Sequence, residues 1–511
     1  MRIATLASIF VGFFFLVACL KPGSSGGSAT ASLEQEKLAK IHCSGCHAFP
    51  GPELLTQNMW KSVLPHMSAR LGVPSGGLNP FKNMKTAEIS RLKMGGVYPE
   101  KPLIPDSVWK SIESYYLSEA PESMRLPVRK TQDNESPFEA RMQPLELNSS
   151  AFISMVKFDP EEQLFVATWN GDVVQVDGNF GARKKVVFPR PIVDFQYDDQ
   201  GYIKALSIGE LYPNEGFSGA VAQLDTQSFS QPELVFAQLA RPVSFESGDL
   251  NGDGREDLLI CQFGNKLGQL SWFENTGQTY QEHVIKEAPG ATRAYLLDMD
   301  DDGDLDPVAL FAQGDEGISI FYNEKGRFRE ERILRFHPVF GSSDFEFLDF
   351  DRDGDRDIIM TNGDNADYSN MLKSFHGVRI FLNEEGEFKE KFFFPMFGAS
   401  KVRARDYDQD GDLDLLACAF FPETTQGLDQ SIVYLENKGN WIFEASHFEL
   451  APEGRWMVMD AGDVDQDGDV DVILGSFVLT SEGVPQAILN QWRNSRNQIL
   501  VLENKTSAPP G

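Results

Sequence analysis

Basic residues are scarce in this 511-residue chain, where 46 Lys and Arg stand against 76 Asp and Glu for a formal charge of −30. That deficit excludes a nucleic-acid backbone or an anionic membrane surface as the partner. Cysteine is scarcer still: five in the whole chain cannot staple a disulfide scaffold, and three of them fall before residue 50. The apolar run from Ile9 to Ala18 is too short for the roughly 18 residues that span a bilayer. No Ser-His-Asp order, phosphate-binding loop or dinucleotide glycine pattern is apparent. Apolar residues, by contrast, make up 41% of the chain, with 39 Phe, so the acidity is not a sign of disorder. The length predicts two or three domains, a large β-propeller counting as one.

The short apolar run follows Arg2 and precedes small residues, which reads as an export signal over residues 1–18. Leu16-Val17-Ala18-Cys19 resembles the bacterial lipobox, which implies cleavage before Cys19 and lipid on its thiol and new amino group. Leu20 in place of Asp favours, by that resemblance, the outer membrane. The expected location is extracytoplasmic and lipid-anchored, on the periplasmic face of a bacterial membrane or at the cell surface. The Gly/Ser-rich residues 19–32 read as a flexible tether.

Cys43-Ser44-Gly45-Cys46-His47 is a C-x-x-C-H motif, in which two thiols can add to haem vinyl groups and the imidazole can ligate the iron. A zinc site needs two further ligands at similar spacing, and none follow. Residues 33–122 resemble a monohaem class I cytochrome c, an all-α domain with a helix before the motif. Its closing helix would carry Trp109, Ile112, Tyr115 and Tyr116 at helical spacing after Pro105-Asp106. The sixth iron ligand is expected among Met59, Met67, Met84 and Met94. Trp60 and Met67 form a W-x6-M pattern, similar to one carrying the axial Met in some cytochrome subunits, and favour Met67. The usual order along such domains keeps Met94 as the alternative, and His66 is a weaker candidate. Residues 123–145, with Pro127, Pro137 and Pro144, read as a linker.

The rest of the chain repeats itself. D-x-[DN]-x-D-G-x-x-D occurs at Asp249-Asn251-Asp253-Gly254-Asp257, Asp298-Asp300-Asp302-Gly303-Asp306 and Asp349-Asp351-Asp353-Gly354-Asp357, then at Asp406-Asp408-Asp410-Gly411-Asp414 and Asp463-Asp465-Asp467-Gly468-Asp471. Oxygen ligands at positions 1, 3, 5 and 9, a turn-forming Gly at 6 and a backbone carbonyl at 7 suit Ca²⁺, so about five ions are expected. Position 12, where an EF-hand has Glu, holds Ile260, Ala309, Met360, Ala417 and Leu474, each inside an apolar run. Each loop therefore joins two strands rather than two helices. Further on, Asn and Gly mark outer hairpins at Glu274 to Gly277, Asn323 to Phe328, Asn383 to Phe388, Glu436 to Trp441 and Glu503-Asn504. Two weaker repeats, near Val156 to Val176 and Val193 to Leu224, lack the carboxylates, and no metal is expected there. Seven repeats over residues 146–504 give roughly 50 residues each, the length of a four-stranded propeller blade. Residues 505–511 form a tail.

These loops resemble FG-GAP or VCBS repeats, as in the integrin α-subunit propeller, strongly over residues 240–504 and weakly over 146–239. With the lipobox and the C-x-x-C-H motif, the chain resembles bacterial lipoproteins that fuse a monohaem cytochrome c domain to such a propeller. The expected fold class is thus multidomain, a small all-α cytochrome c domain followed by an all-β seven-bladed propeller. Cys261 and Cys418 hold equivalent repeat positions three blades apart and are expected to be buried free thiols. Cations precede the innermost strand of several blades: Arg190, Arg241, Arg293, Lys401 and Arg455. If they converge, they form a basic ring for a carboxylate, phosphate or acidic sugar; otherwise they balance nearby Asp groups. A longer insert in the fifth repeat collects Asp364, Asp367, Tyr368 and His376, candidates for acid–base work with the His titrating near neutral pH. The leading expectation is electron transfer, with a Ca²⁺-stiffened propeller docking a redox partner or a small polar substrate. The alternatives are an oxidoreductase acting on a small polar or sugar substrate at the propeller mouth, and a surface binding or adhesion module.

Overall fold

A computed structural model describes residues 26–73, 75–127, 131, 136–145, 152–198, 201–226, 228–229, 231–365, 372–424, 427–478, 484–495 and 497–506. Seven four-stranded antiparallel sheets form an all-β propeller, with a few helices at the N-terminal end. Six blades are continuous in sequence, over 153–187, 192–239, 242–287, 291–335, 342–395 and 399–447. In blades 3 to 7 the second strand is buried at every position, as in Asp257–Gln262 and Asp414–Ala419, which is why these strands read as unbroken apolar runs. Facing blades share one core: Val308 and Leu310 of blade 4 pack with Phe345 and Ile358 of blade 5. Cys261 and Cys418 are free and fully buried, and burial pushes both thiols up to about 12.

The ninth residue of each carboxylate loop opens the second strand, and its side chain fastens the blade. Asp306 accepts the backbone N–H of Asn323 at 2.7 Å on one oxygen and that of Met299 at 2.9 Å on the other. The same two bonds recur at Asp257, Asp357 and Asp471, while at Asp414 the Tyr434 hydroxyl replaces the loop N–H. Each partner Asn is the last or, at Asn383, the last but one residue of the third strand, and Asn323 returns its side-chain amide to the Leu305 carbonyl at 3.0 Å. The loop, strand two and strand three are thereby tied at one point in the protein interior. The sixth-position glycines, φ 81° to 103°, need the left-handed region that a side chain disfavours.

The closing blade draws on both ends of the chain. Phe138–Pro144 pairs with Asn497–Asn504 outside the strands Asp471–Ser476 and Trp456–Gly462. The linker expected over 123–145 therefore stops before Phe138, and the propeller starts there rather than at 146. Helix also begins earlier than expected: α1 (Gly26–Cys43) takes in the end of the tether assigned to 19–32. Ala29 and Ala31 are strong helix formers, and extending a helix already formed costs little. Cys19 lies outside the described residues.

Three further helices follow, α2 (Gln57–Arg70), α3 (Thr86–Met94) and α4 (Asp106–Glu119). The α4 residues Trp109, Ile112, Tyr115 and Tyr116 are buried, as their spacing predicts, with Trp60 against Tyr116 at 4.4 Å between ring centres. Trp60 and Tyr116 also donate to the carbonyls of Pro52 and Pro50, which fixes the segment after the C-x-x-C-H motif. The helices sit on the end of the propeller opposite the carboxylate loops. Buried Glu215, between the second and third strands of blade 2, accepts from Asn265, Lys266 and Leu267 of blade 3. Its backbone N–H donates to Glu88 of α3 at 3.1 Å, and its carbonyl accepts from Arg91. A fifth helix, α5 (Gln486–Asn494), is inserted in the closing blade and buries Leu489 and Trp492.

Asp306→Ala leaves two interior N–H groups without acceptors and should cost about 2–5 kcal/mol in denaturant unfolding measured in chelator. Asp306→Asn, which keeps one acceptor oxygen, should cost less.

Candidate functional site

Three places gather chemistry. The first is the C-x-x-C-H motif at the end of α1. Cys43 is half-buried and Cys46 exposed, and both thiols are free. Burial raises the Cys43 thiol to about 11, against the Tyr116 hydroxyl beside it. His47 Nδ1 lies 3.0 Å from the Ala48 carbonyl. A carbonyl can only accept, so Nδ1 carries the proton and Nε2 keeps its lone pair, the arrangement a ligating imidazole requires. Burial holds the His47 pKa below its ordinary value, which keeps that lone pair available. Met67, on α2, packs in the same cluster as Cys43 and Phe49. Met94 ends α3 with 80% of its surface exposed, and Met59 is core. His66 is half-buried on α2 and senses Lys266 of blade 3. Two free thiols, a lone-pair nitrogen and a thioether drawn to the same core fit a covalently held haem. The motif also faces the propeller: His47 senses Asp315 and Arg335 of blade 4, and Val339 packs against the helical core.

The second place is the ring of carboxylate loops. Ligand oxygens come within 4.8 Å of one another in Asp298/Asp300/Asp302, Asp349/Asp351/Asp353, Asp406/Asp408/Asp410 and Asp463/Asp465/Asp471. Oδ1 atoms of Asp349, Asp355, Asp406, Asp412 and Asp469 are buried with no hydrogen-bond partner. Three of these, Asp355, Asp412 and Asp469, occupy position 7, where only a backbone carbonyl was expected. The sequence does carry the signal, since Asp304 completes an acidic seventh position in four of the five loops. Burial and the neighbouring carboxylates push Asp355 up to about 6 and Asp412 above its usual range, the mark of negative charge lacking a counter-charge. The first loop differs. Its seventh residue is Arg255, ion-paired with Asp253, and Asp249 accepts from the N–H groups of Gly252, Asp253 and Gly254. All five ninth-position residues spend their oxygens on the fold, and among them Asp471 also comes within 4.8 Å of the outer carboxylates of its loop.

The third is the mouth of the central channel on the helical side, a cavity of about 160 Å³ lined by Phe263, Ser342, Asp364, Lys401, Phe420 and Phe421 among others. Of the five cations proposed to converge, Arg293 and Lys401 do so, each 3.5 Å from one oxygen of fully buried Asp344. Arg241 turns to the carbonyls of Leu211 and Gly264, Arg455 to that of Phe420, and Arg190 is exposed. They do not meet at one point: Arg241 lies against Phe263, and Arg455 against Phe420 and Phe421, behind the aromatic wall of the mouth. Asp364 lines the mouth, whereas Asp367 and Tyr368 lie outside the described residues. His376 is fully buried with both ring nitrogens unpartnered. Burial, with Lys373, His337 and Arg379 around it, holds its pKa well below the usual value, so it does not titrate near neutral pH as expected.

Residues 249–309 and 298–360 match the model of the FG-GAP-like repeat. The chain is similar to integrin alpha-V of Gallus gallus, 25% identical over 237 residues, covering 41% of this chain and 22% of the integrin. It thus spans about a fifth of that relative. Among solved structures, the N-terminal domain of Nup159 is 10% identical with a TM-score of 0.41, over 74% of this chain and 97% of that one. The extracellular domain of the putative one component system BT4673 from B. thetaiotaomicron is 13% identical with a TM-score of 0.40, over 71% and 40%. The FG-GAP-like repeats fall in the seven-bladed propeller, over blades 3 to 5. Among the described residues no helix is long and apolar enough to cross a membrane.

Deeper in the channel, burial and Asp194 raise the Glu246 carboxyl from 4.5 to about 7, against Lys157 and Arg293. A carboxyl raised on folding favours the protonated form, so the native state is best served below pH 4.5 and loses stability as pH rises toward 7. Glu246→Gln should flatten that fall and leave the protein up to about 3 kcal/mol more stable at pH 8, read from unfolding curves at a series of pH values.

Proposed function

We propose that the chain is an extracytoplasmic c-type cytochrome whose propeller docks a redox partner or a small polar substrate, tethered to a membrane through lipid on Cys19. Cys43 and Cys46 hold one haem, His47 supplies the proximal nitrogen and Met67 the sixth ligand; when bound, the haem supplies one-electron chemistry. The observation that supports this reading is the His47 Nδ1 bond to the Ala48 carbonyl, which leaves the lone pair on the other nitrogen available for ligation. Met67 is preferred to Met94 because it shares a core with Cys43, while Met94 faces solvent. Seating of the motif against blade 4 favours exchange of electrons with something held by the propeller itself, since the connector around Val339 leads into Ser342 and Ser343 of the mouth. In the propeller, Asp298, Asp349, Asp406 and Asp463 with their loop partners hold Ca²⁺, and the unpartnered Asp oxygens support that assignment. The Asp249 loop, with Arg255 on Asp253, is the weakest of the five.

Cys43→Ala with Cys46→Ala should abolish the covalent c-type absorbance of matured protein and leave the far-ultraviolet β signature intact. A c-type spectrum surviving in that variant would refute the attachment.

Chelation should lower the melting temperature, since each site held at 100 times its dissociation constant contributes about 2.7 kcal/mol. An unchanged melting curve, with no metal by elemental analysis, would remove Ca²⁺ from the account.

A further inference from the structure

The floor of the channel mouth is electrostatically incomplete. Arg293 and Lys401 have, among the described residues, no ion-pair partner other than Asp344, and both meet the same Oδ1 at 3.5 Å. Arg403 takes the other oxygen at 3.0 Å. Three cations thus lean on one carboxylate, with Glu346 and Asp460 at Arg403 and with Glu346 and Glu246 farther from Arg293. Glu246, one of the acids farther from Arg293, is raised to about 7 and supplies only part of a charge at neutral pH. Hydrogen bonding is incomplete as well, for Asp344 Oδ1, Arg293 Nε and Ser342 Oγ are buried without partners. Interior polar groups left this way in a native fold call for a missing partner. Arg293 and Lys401 remain reachable, each with 27% of its side chain accessible, and Lys401 lines both the mouth and the channel cavity beneath it.

We infer that the mouth binds a small organic carboxylate, its oxygens meeting Lys401 and Ser342 on the floor and its apolar body resting against Phe263, Phe420 and Phe421. The added negative charge supplies what Asp344 alone does not, in a setting where charge-assisted hydrogen bonds are strong. The aromatic wall favours an organic acid over a bare inorganic anion, and the cavity of about 160 Å³ limits it to a small one. Asp364 at the rim repels a second carboxylate, so a monocarboxylate is favoured over a diacid. This deepens the docking role proposed for the propeller and rests on that role, though not on the haem.

The test is isothermal titration of the full chain with benzoate, and with benzamide as its uncharged isostere. Saturable benzoate binding is expected, with benzamide and inorganic phosphate each at least about tenfold weaker. Lys401→Gln should weaken benzoate about tenfold, and Ser342→Ala, which removes no charge and should leave the fold intact, about threefold. Absence of saturable binding up to about 10 mM, equal affinity for benzamide, or full affinity in Ser342→Ala and Lys401→Gln would overturn the site. The titration is repeated on Cys43→Ala/Cys46→Ala protein. Equal binding there supports the mouth whatever the outcome for haem, whereas binding seen only in coloured protein would place benzoate on the iron and overturn the inference.

Discussion

The aspartate that opens the second strand of blades 3 to 7 is the constraint on which the propeller rests. A carboxylate at the start of a fully buried strand is costly unless its oxygens are met. Each is met by N–H or O–H donors from the loop before it or the third strand beside it, as Asp306 is by Met299 and Asn323. One buried side chain thereby fixes the loop conformation, the entry to the core strand and the end of the next strand. The outer carboxylates at positions 1, 3 and 5 are held together as a consequence, despite their mutual repulsion. That repulsion is what a divalent cation would relieve, so the staple and the proposed ion do different work: one shapes the loop, the other neutralises it.

This division explains what could be read in the sequence. Residues 1, 3, 5, 6 and 9 of each loop answer to local backbone geometry, so five loops and their strands were legible, and the seven blades followed from repeat length. The closing strand was not. Phe138–Pro144 is an outermost strand, mostly half-exposed, whose partner lies at Asn497–Asn504; nothing local distinguishes it from a linker containing Pro137 and Pro144. Repeat position likewise told where Arg241, Arg293, Lys401 and Arg455 enter their blades but not where their side chains point. Two went to Asp344 and two to carbonyls, a choice made by neighbouring chains. The Cys43, Cys46 and His47 motif was legible, and the Trp60/Met67 spacing already favoured Met67; the structure adds that Met67 shares the helical core with Cys43 while Met94 is exposed.

Seating of the helices matters as much as their content. Glu215 satisfies three donors of blade 3 with its carboxylate and uses its backbone to hold α3. A single buried residue therefore registers the helical unit against blades 2 and 3, and Val339 carries the contact on toward blade 5. The C-x-x-C-H motif and the channel mouth share one side of the propeller because the chain's own contacts bring them there.

The two ends of the propeller can then serve different purposes inside one acidic protein. A six-residue core strand is about 20 Å long, which separates the carboxylate loops from the mouth by more than twice the screening length of about 8 Å at physiological salt. The charge of −30 is thus not felt evenly. At the mouth the local balance is set by Arg293, Lys401 and Arg403 against Asp344, Glu346 and Asp460, with Glu246 raised by burial. An anion approaching from the helical side meets that local field rather than the loops at the far end. Filling or emptying the loops would change how firmly the blades are tied, while the affinity proposed for the mouth would be governed by a few groups at the other end of the same strands.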